Sequence, residues 1–405
     1  MKNRFILFAF LFSFLAITIN AQSDSQWRGE DRDGIYHGEK LLKSWPEEGP
    51  ELLTTIKGLG EGYSSPAVTK DRIYLTGLDD DTGYLFAFDL SGKLLWKKTY
   101  GDEWDDRYAG TRVTPTVVGN RLYFSNSLGQ VFCFDDEGNQ IWQFDMEDEF
   151  DAPNLRFGMT ESLLVDGDNL FCTPGADDVS VAVLNRHTGQ VIKKIKGIDQ
   201  KSAYCSPKII DHNGKRIFIT MMENSLIGID LKSLSMVFKY EFKTRRGINP
   251  NTPLYHNGYI YIVSGYGKGG ELLKLSKDGS ELTRIWADSQ LDSQMGSVIL
   301  ADGHLYGSGH DNRNWYCVEF LTGKVKYSSR KLGRKGNIIF SDGMLYIYSE
   351  KGDIALVKPN SEKFEIVSSF KLEQGSGEHW AHPVIKNGRL YVRHGDILNI
   401  YNIAG

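Results

Sequence analysis

Two histidines flank a tryptophan in His379-Trp380-Ala381-His382; the imidazoles are possible metal ligands and the indole a stacking platform for a sugar or planar ligand. On a strand, residues three apart face opposite sides, so a shared metal requires a loop or bulge there. Cationic and polar residues recur in the segments between apolar runs: Arg107, Arg112, Arg156, Tyr204, Arg245, Arg246, Asn249, Gln294 and Lys335, with His310-Asp311 in a turn. A guanidinium fork holds a carboxylate or sulfate through paired hydrogen bonds. The same arginines are equally placed to pair with Asp102, Asp105, Glu147 and Asp151. Asp79-Asp80-Asp81 and Asp102-Glu103 with Asp105-Asp106 offer cation ligands, and read as well as solvated rim loops. Cys133, Cys172, Cys205 and Cys317 are far apart, with no CxxC and no adjacent pair, so no metal knuckle or haem attachment is encoded. Cys133 and Cys317 read as buried strand thiols, and Cys172 with Cys205 is the one tenable disulfide.

These residues need a scaffold, and the repeats supply it. An aliphatic residue followed by an aromatic one recurs as Ile73-Tyr74, Leu122-Tyr123, Leu170-Phe171, Ile217-Phe218, Ile260-Tyr261, Leu305-Tyr306, Leu345-Tyr346 and Leu390-Tyr391. The intervals run from 40 to 49 residues, the period of a four-stranded propeller blade. Helical solenoids share that period, but the apolar runs here are short, β-branched and alternating. Gly and Asn at Gly119-Asn120, Asn257-Gly258 and Asn387-Gly388 accept the positive φ of tight hairpins. Trp96, Trp142 and Trp286 occupy like positions on outermost strands, where they read as packing between blades. The last unit lacks an outermost strand, and Leu52-Leu53-Thr54-Thr55-Ile56 resembles one. The expected fold is all-β: an eight-bladed propeller over residues 51–405, its last blade closed by residues 51–57.

The chain of 405 residues carries 43 glycines and 12% aromatics, which suits many turns between short strands, and a net charge of −5. No basic footprint for nucleic acid or anionic lipid is present. Lys2 and Arg4 precede an apolar run from Phe5 to Ile19, and Ala21-Gln22 follows, so residues 1–21 read as a signal peptide cleaved near Ala21. The mature protein is then periplasmic or extracellular, with no transmembrane segment and a net charge of −7. Residues 22–50 lack the repeat pattern, and Trp27, Arg28 and Trp45 suggest an arm packed on the propeller.

The units Ala87-Phe88-Asp89-Leu90-Ser91-Gly92-Lys93-Leu94-Leu95-Trp96 and Val318-Glu319-Phe320-Leu321-Thr322-Gly323-Lys324, with Trp27-Arg28-Gly29 and Asp31-Arg32-Asp33-Gly34 upstream, resemble secreted quinoprotein-like propellers built from pyrroloquinoline-quinone repeats. The barrel-assembly lipoprotein of the outer membrane shares that fold. The resemblance specifies the fold and hardly the ligand. It implies that an enzyme of this kind would hold the quinone with calcium, an acidic base and often adjacent cysteines in the funnel. The sequence offers no adjacent cysteines and no assignable carboxylate trio, so no cofactor is assigned.

The expected role is therefore an exported, non-enzymatic binding or interaction propeller. Pyrroloquinoline-quinone-dependent alcohol or sugar dehydrogenase is the alternative, and a carbohydrate-acting protein the second. Innermost strands converge on the axis, so the residues just before Pro115, Pro253, Pro383 and the strand near Asn337 should crowd around one funnel mouth. Arg112, Arg156, Tyr204, Arg246, Asn249, Gln294, His310, Lys335, His379, Trp380 and His382 are the expected lining. The expected partner is a small anionic or carbohydrate ligand, or a protein at that face, and not nucleic acid.

Overall fold

The structure is a computed structural model and describes residues 23–405; the leader expected over 1–21 lies outside the described residues. Eight antiparallel sheets of four blade strands each follow one another around a central axis, the seventh extended by a fifth, parallel strand from the amino-terminal arm. In the fifth, Leu254–His256 lies innermost, then Tyr259–Ser264, Gly269–Leu275 and Leu282–Asp288 outermost. In the eighth, Leu52–Lys57 supplies the outermost strand and pairs with Ile397–Asn402, so the two ends of the ring are joined by hydrogen bonds. The fold is thus the expected eight-bladed propeller, with a single short helix at Met146–Phe150 among the described residues. No helix among them is long and apolar enough to cross a membrane.

The second strand of each blade is buried on both faces, which is why it carries an aliphatic–aromatic pair rather than alternation: Leu122 and Tyr123 are both fully buried. All eight blades share a bulge between the third and fourth strands, as at Gln140/Trp142 and Leu52/Thr54. The bulge leaves one residue unpaired and re-aims the next. Ile141 is accordingly exposed, while Trp142 turns to the neighbouring blade and donates its indole N–H to Arg186 O at 3.0 Å. Trp96 and Trp286 do the same toward Asp136 O and Phe320 O. The indole of Trp142 lies so close over Gly189 that a Cβ there would come within 2.9 Å of the ring, so the turn glycine is also a packing requirement.

The four cysteines are buried free thiols. The disulfide left open between Cys172 and Cys205 does not form: Cys172 points to Ala182 O within its own blade, and Cys205 to Ser206 O and Asn251 O.

Residues 23–50 run across the face opposite the interblade links. Ser25 bridges Val117 at the far end of an innermost strand, and Ile35–Tyr36 pairs parallel with Phe340–Ser341. Trp45 is buried against Tyr346 and Phe370. Between these anchors the arm enters the channel. Arg28 donates to Asp33 O, Ile338 O and Val298 O and to His382 Nδ1, and Arg32 to Ser162 O, Leu163 O, Pro207 O and Thr116 Oγ1. Both side chains are 2% exposed. Two guanidiniums thus gather carbonyls from innermost strands or their links in four blades, supplying donors to groups that the converging strands leave unpaired.

Candidate functional site

The links between blades and the facing turns enclose a cavity of about 430 Å³ at the funnel mouth, within the range of small-molecule sites. Arg112, Tyr204, Arg246, Gln294, His310, Lys335, Trp380 and His382 line it, with Trp27, Tyr63, Tyr108, Phe157 and Tyr266 among the rest of the wall. Arg156, Asn249 and His379 lie outside the lining. Arg156 is exposed over Phe157. Asn249 is fully buried and donates to Met222 O and Glu223 O. His379 stacks on His394 at 3.7 Å and receives the Tyr348 hydroxyl at Nδ1. His382 instead packs against Arg28 and Met295 O, so the two histidines share no metal.

Lys335 organises one side of the cavity. Its ammonium meets Gln294 Oε1, His310 Nδ1 at 2.6 Å and Glu350 Oε1 at 3.3 Å. Burial, then the Lys335 charge, pushes His310 down to about 4, so the imidazole is neutral at ordinary pH. Glu350 sits behind the wall and also accepts the Trp380 indole N–H at 3.2 Å, fixing both residues at once. Asp292 fixes the opposing turns: Oδ1 accepts the His310 N–H at 2.8 Å and Oδ2 the Gly267 N–H at 2.9 Å. Arg112 donates to Gly110 O and Tyr108 O, shaping its own link, and burial lowers its pKa. Arg246 lies over the Tyr266 ring at 4.9 Å. None of Arg107, Arg112, Arg156, Arg245 or Arg246 forms an ion pair with Asp102, Asp105, Glu147 or Asp151 among the described residues.

Three cavity tyrosines, Tyr108, Tyr204 and Tyr266, sit at φ of 57°, 67° and 60°. Such left-handed backbone costs a non-glycine residue on the order of 1–3 kcal/mol and concentrates at functional sites. Sequence reading missed five lining aromatics. Tyr63 precedes the first innermost strand as Arg112 precedes the second, so aligning the links would have found it; Tyr266 stands in a turn equivalent to that of His310.

Fold and repeats define an eight-bladed, quinoprotein-like propeller of the pyrroloquinoline-quinone-repeat class. The sequence profile described as outer membrane protein assembly factor BamB matches residues 81–329, more than half of the chain, and the protein belongs to that family. BamB from Moraxella catarrhalis superposes with a TM-score of 0.63 at 13% identity, covering 87% of this chain and 97% of that one. A europium-containing methanol dehydrogenase gives 0.63 at 11%, covering 92% and 90%. The computationally designed Ika8 protein gives 0.61 at 12%, covering 87% and 100%. An assembly factor, an enzyme and a design share this shape, so the likeness shows the fold alone. No match is found among curated protein sequences.

The quinone and calcium that the fold family implies can be tested against the residues present. No carboxylate lines the cavity, and no group of three or more His, Cys, Asp or Glu among the described residues is arranged to hold a metal. Calcium takes six to eight oxygen ligands, with carboxylates prominent among them. This donor set does not fit it.

Proposed function

We propose that this protein is an exported binding propeller whose mouth cavity takes a small ligand carrying negative charge or a carbohydrate face. The observation that carries this reading is the composition of the wall: Arg112, Arg246 and Lys335 line it together with aromatic rings and without a carboxylate, in a chain of net negative charge. Each charge-assisted hydrogen bond to an anion there contributes roughly 1.5–3 kcal/mol before desolvation. Intrinsic fluorescence of Trp27 and Trp380, titrated with sulfate, glucuronate, galactose and benzoate, tests it. A saturable response to at least one anionic probe, weakened about tenfold or more in Arg246→Ala with unchanged melting, is expected. Silence toward all four probes overturns the reading.

Export follows from Lys2, Arg4 and the run Phe5–Ile19, and fits a family named for outer-membrane assembly. The mass of the secreted chain should correspond to a start at Gln22, and retention of residues 1–21 argues against cleavage there. A protein partner at the propeller face is the second reading, favoured by that family description.

A further inference from the structure

The cavity has two chemically distinct halves. One is an aromatic bowl: Trp380 lies 5.0 Å from Tyr63 at an interplanar angle of 46° and 4.9 Å from Tyr108 at 57°. The other is built from Arg246, Tyr266 and His310, braced by Lys335 and Gln294.

The direction of each hydrogen bond in that second half determines what it offers a ligand. Three acceptors surround Lys335 Nζ, as an ammonium requires. An ammonium has no lone pair, so His310 Nδ1 accepts, and the single proton of the neutral imidazole sits on Nε2. Asp311 Oδ1, 3.7 Å from Nε2, is too far to take that proton in a hydrogen bond. Gln294 accepts from Lys335 through Oε1, and its amide N–H donates to the Tyr266 hydroxyl oxygen at 2.8 Å. The phenol proton is thereby left for another acceptor. Arg246, Tyr266 and His310 all present donors, a set that matches an anionic, acceptor-rich group.

The bowl decides what bears that group. A flat aromatic acid favours parallel or offset stacking, whereas walls tilted by 46° and 57° leave no parallel slot. A puckered sugar ring presents C–H groups at several inclinations and packs on such walls. Trp27, carried by the buried Arg28 plug, lines the inner end of the cavity, so the funnel does not continue as an open channel for a threaded polymer. We propose, resting on the binding reading above, that the cavity recognises an acidic sugar at the end of a glycan, its ring on Trp380 and its carboxylate or sulfate on Arg246, Tyr266 and His310.

Calorimetric titration of the mature protein with digalacturonate, galactose 6-sulfate, galactobiose and benzoate tests this. At least one acidic sugar should bind tenfold or more tighter than galactobiose and benzoate, the two acidic sugars telling a carboxylate preference from a sulfate one. Arg246→Ala should remove that preference over galactobiose, and Tyr266→Phe should reduce it. Trp380→Ala should weaken binding of acidic and neutral sugars alike; Trp380→Phe, which keeps a ring, should recover part of it. Benzoate or galactobiose binding as tightly as the acidic sugars overturns the proposal and leaves the broader binding reading standing. Absence of binding by all four, together with no fluorescence response to inorganic sulfate, overturns both.

Discussion

Removal of residues 23–57 should yield aggregated protein, whereas removal of residues 23–50 should yield soluble protein of lowered stability. The difference lies in one strand. Leu52–Lys57 covers the edge formed by Ile397–Asn402, and Ile56 is buried in the cluster that joins the last blade to the first. Without that strand, an apolar edge including the fully buried Leu398 and Ile400 faces solvent as a template for intermolecular pairing. Loss of residues 23–50 alone leaves the ring closed. It still strips the channel of Arg28 and Arg32 and exposes the surfaces covered by Tyr36, Leu41 and Trp45. Burying each such side chain contributes about 1.5–3 kcal/mol, so the loss of these three contacts alone is expected to lower stability by several kcal/mol. Size-exclusion chromatography and thermal melting distinguish the two truncations. A soluble, monomeric chain lacking 23–57 with unchanged melting would refute the closure argument.

The blades were legible because their signal is local. Leu122-Tyr123 and its seven counterparts stand at one position of a repeating sheet, and burial on both faces demands the same pair each time. The closing strand was legible because Leu52–Ile56 copies the outermost pattern of Leu94–Lys98. The channel plug was not. Arg28 and Arg32 are polar residues in a segment without periodicity, and nothing in an apolar pattern announces that converging strands will leave carbonyls for two guanidiniums to collect. The mouth was read in part, since link residues such as Arg112 and Lys335 could be placed by their distance from the next innermost strand. Tyr266 was missed because Gly265-Tyr266-Gly267 reads as an ordinary turn, and its approach to within 4.6 Å of His310 depends on two neighbouring blades. His379 and His382, adjacent on paper, diverge because the link sends one beneath Tyr348 and the other to the channel.

His382 should contribute a separable loss of stability as the pH falls below 6.5. Its Nδ1 accepts from Arg28 at 3.0 Å and its Nε2–H donates to Met295 O at 3.0 Å, so the buried ring must be neutral. Burial, then the Arg28 charge, pushes it down to about 3. Because the folded value lies below the unfolded one, the contribution is complete above pH 6.5 and is lost as pH falls toward 3: the unfolded chain takes up a proton that the folded chain refuses. The slope for one such group is about 1.4 kcal/mol per pH unit. His310 and His379, each pushed down to about 4 by burial, act in the same direction with smaller effect because both remain partly solvated. Glu161 opposes them. Burial raises it to about 7, so the folded chain holds a proton between pH 4.5 and 7 that the unfolded chain releases. The wild-type slope is therefore a sum of opposing terms, and a variant isolates the histidine. Gln at position 382 offers an acceptor to Arg28 and a donor to Met295 O without titrating, while Glu161, His310 and His379 are unchanged. Urea unfolding from pH 7 to pH 5 should show the wild type losing more stability than His382→Gln, with the gap growing by up to about 1.4 kcal/mol for each pH unit. Parallel curves would mean that His382 is protonated as readily in the folded protein as in the unfolded chain, and that the Arg28 contact does not hold it neutral.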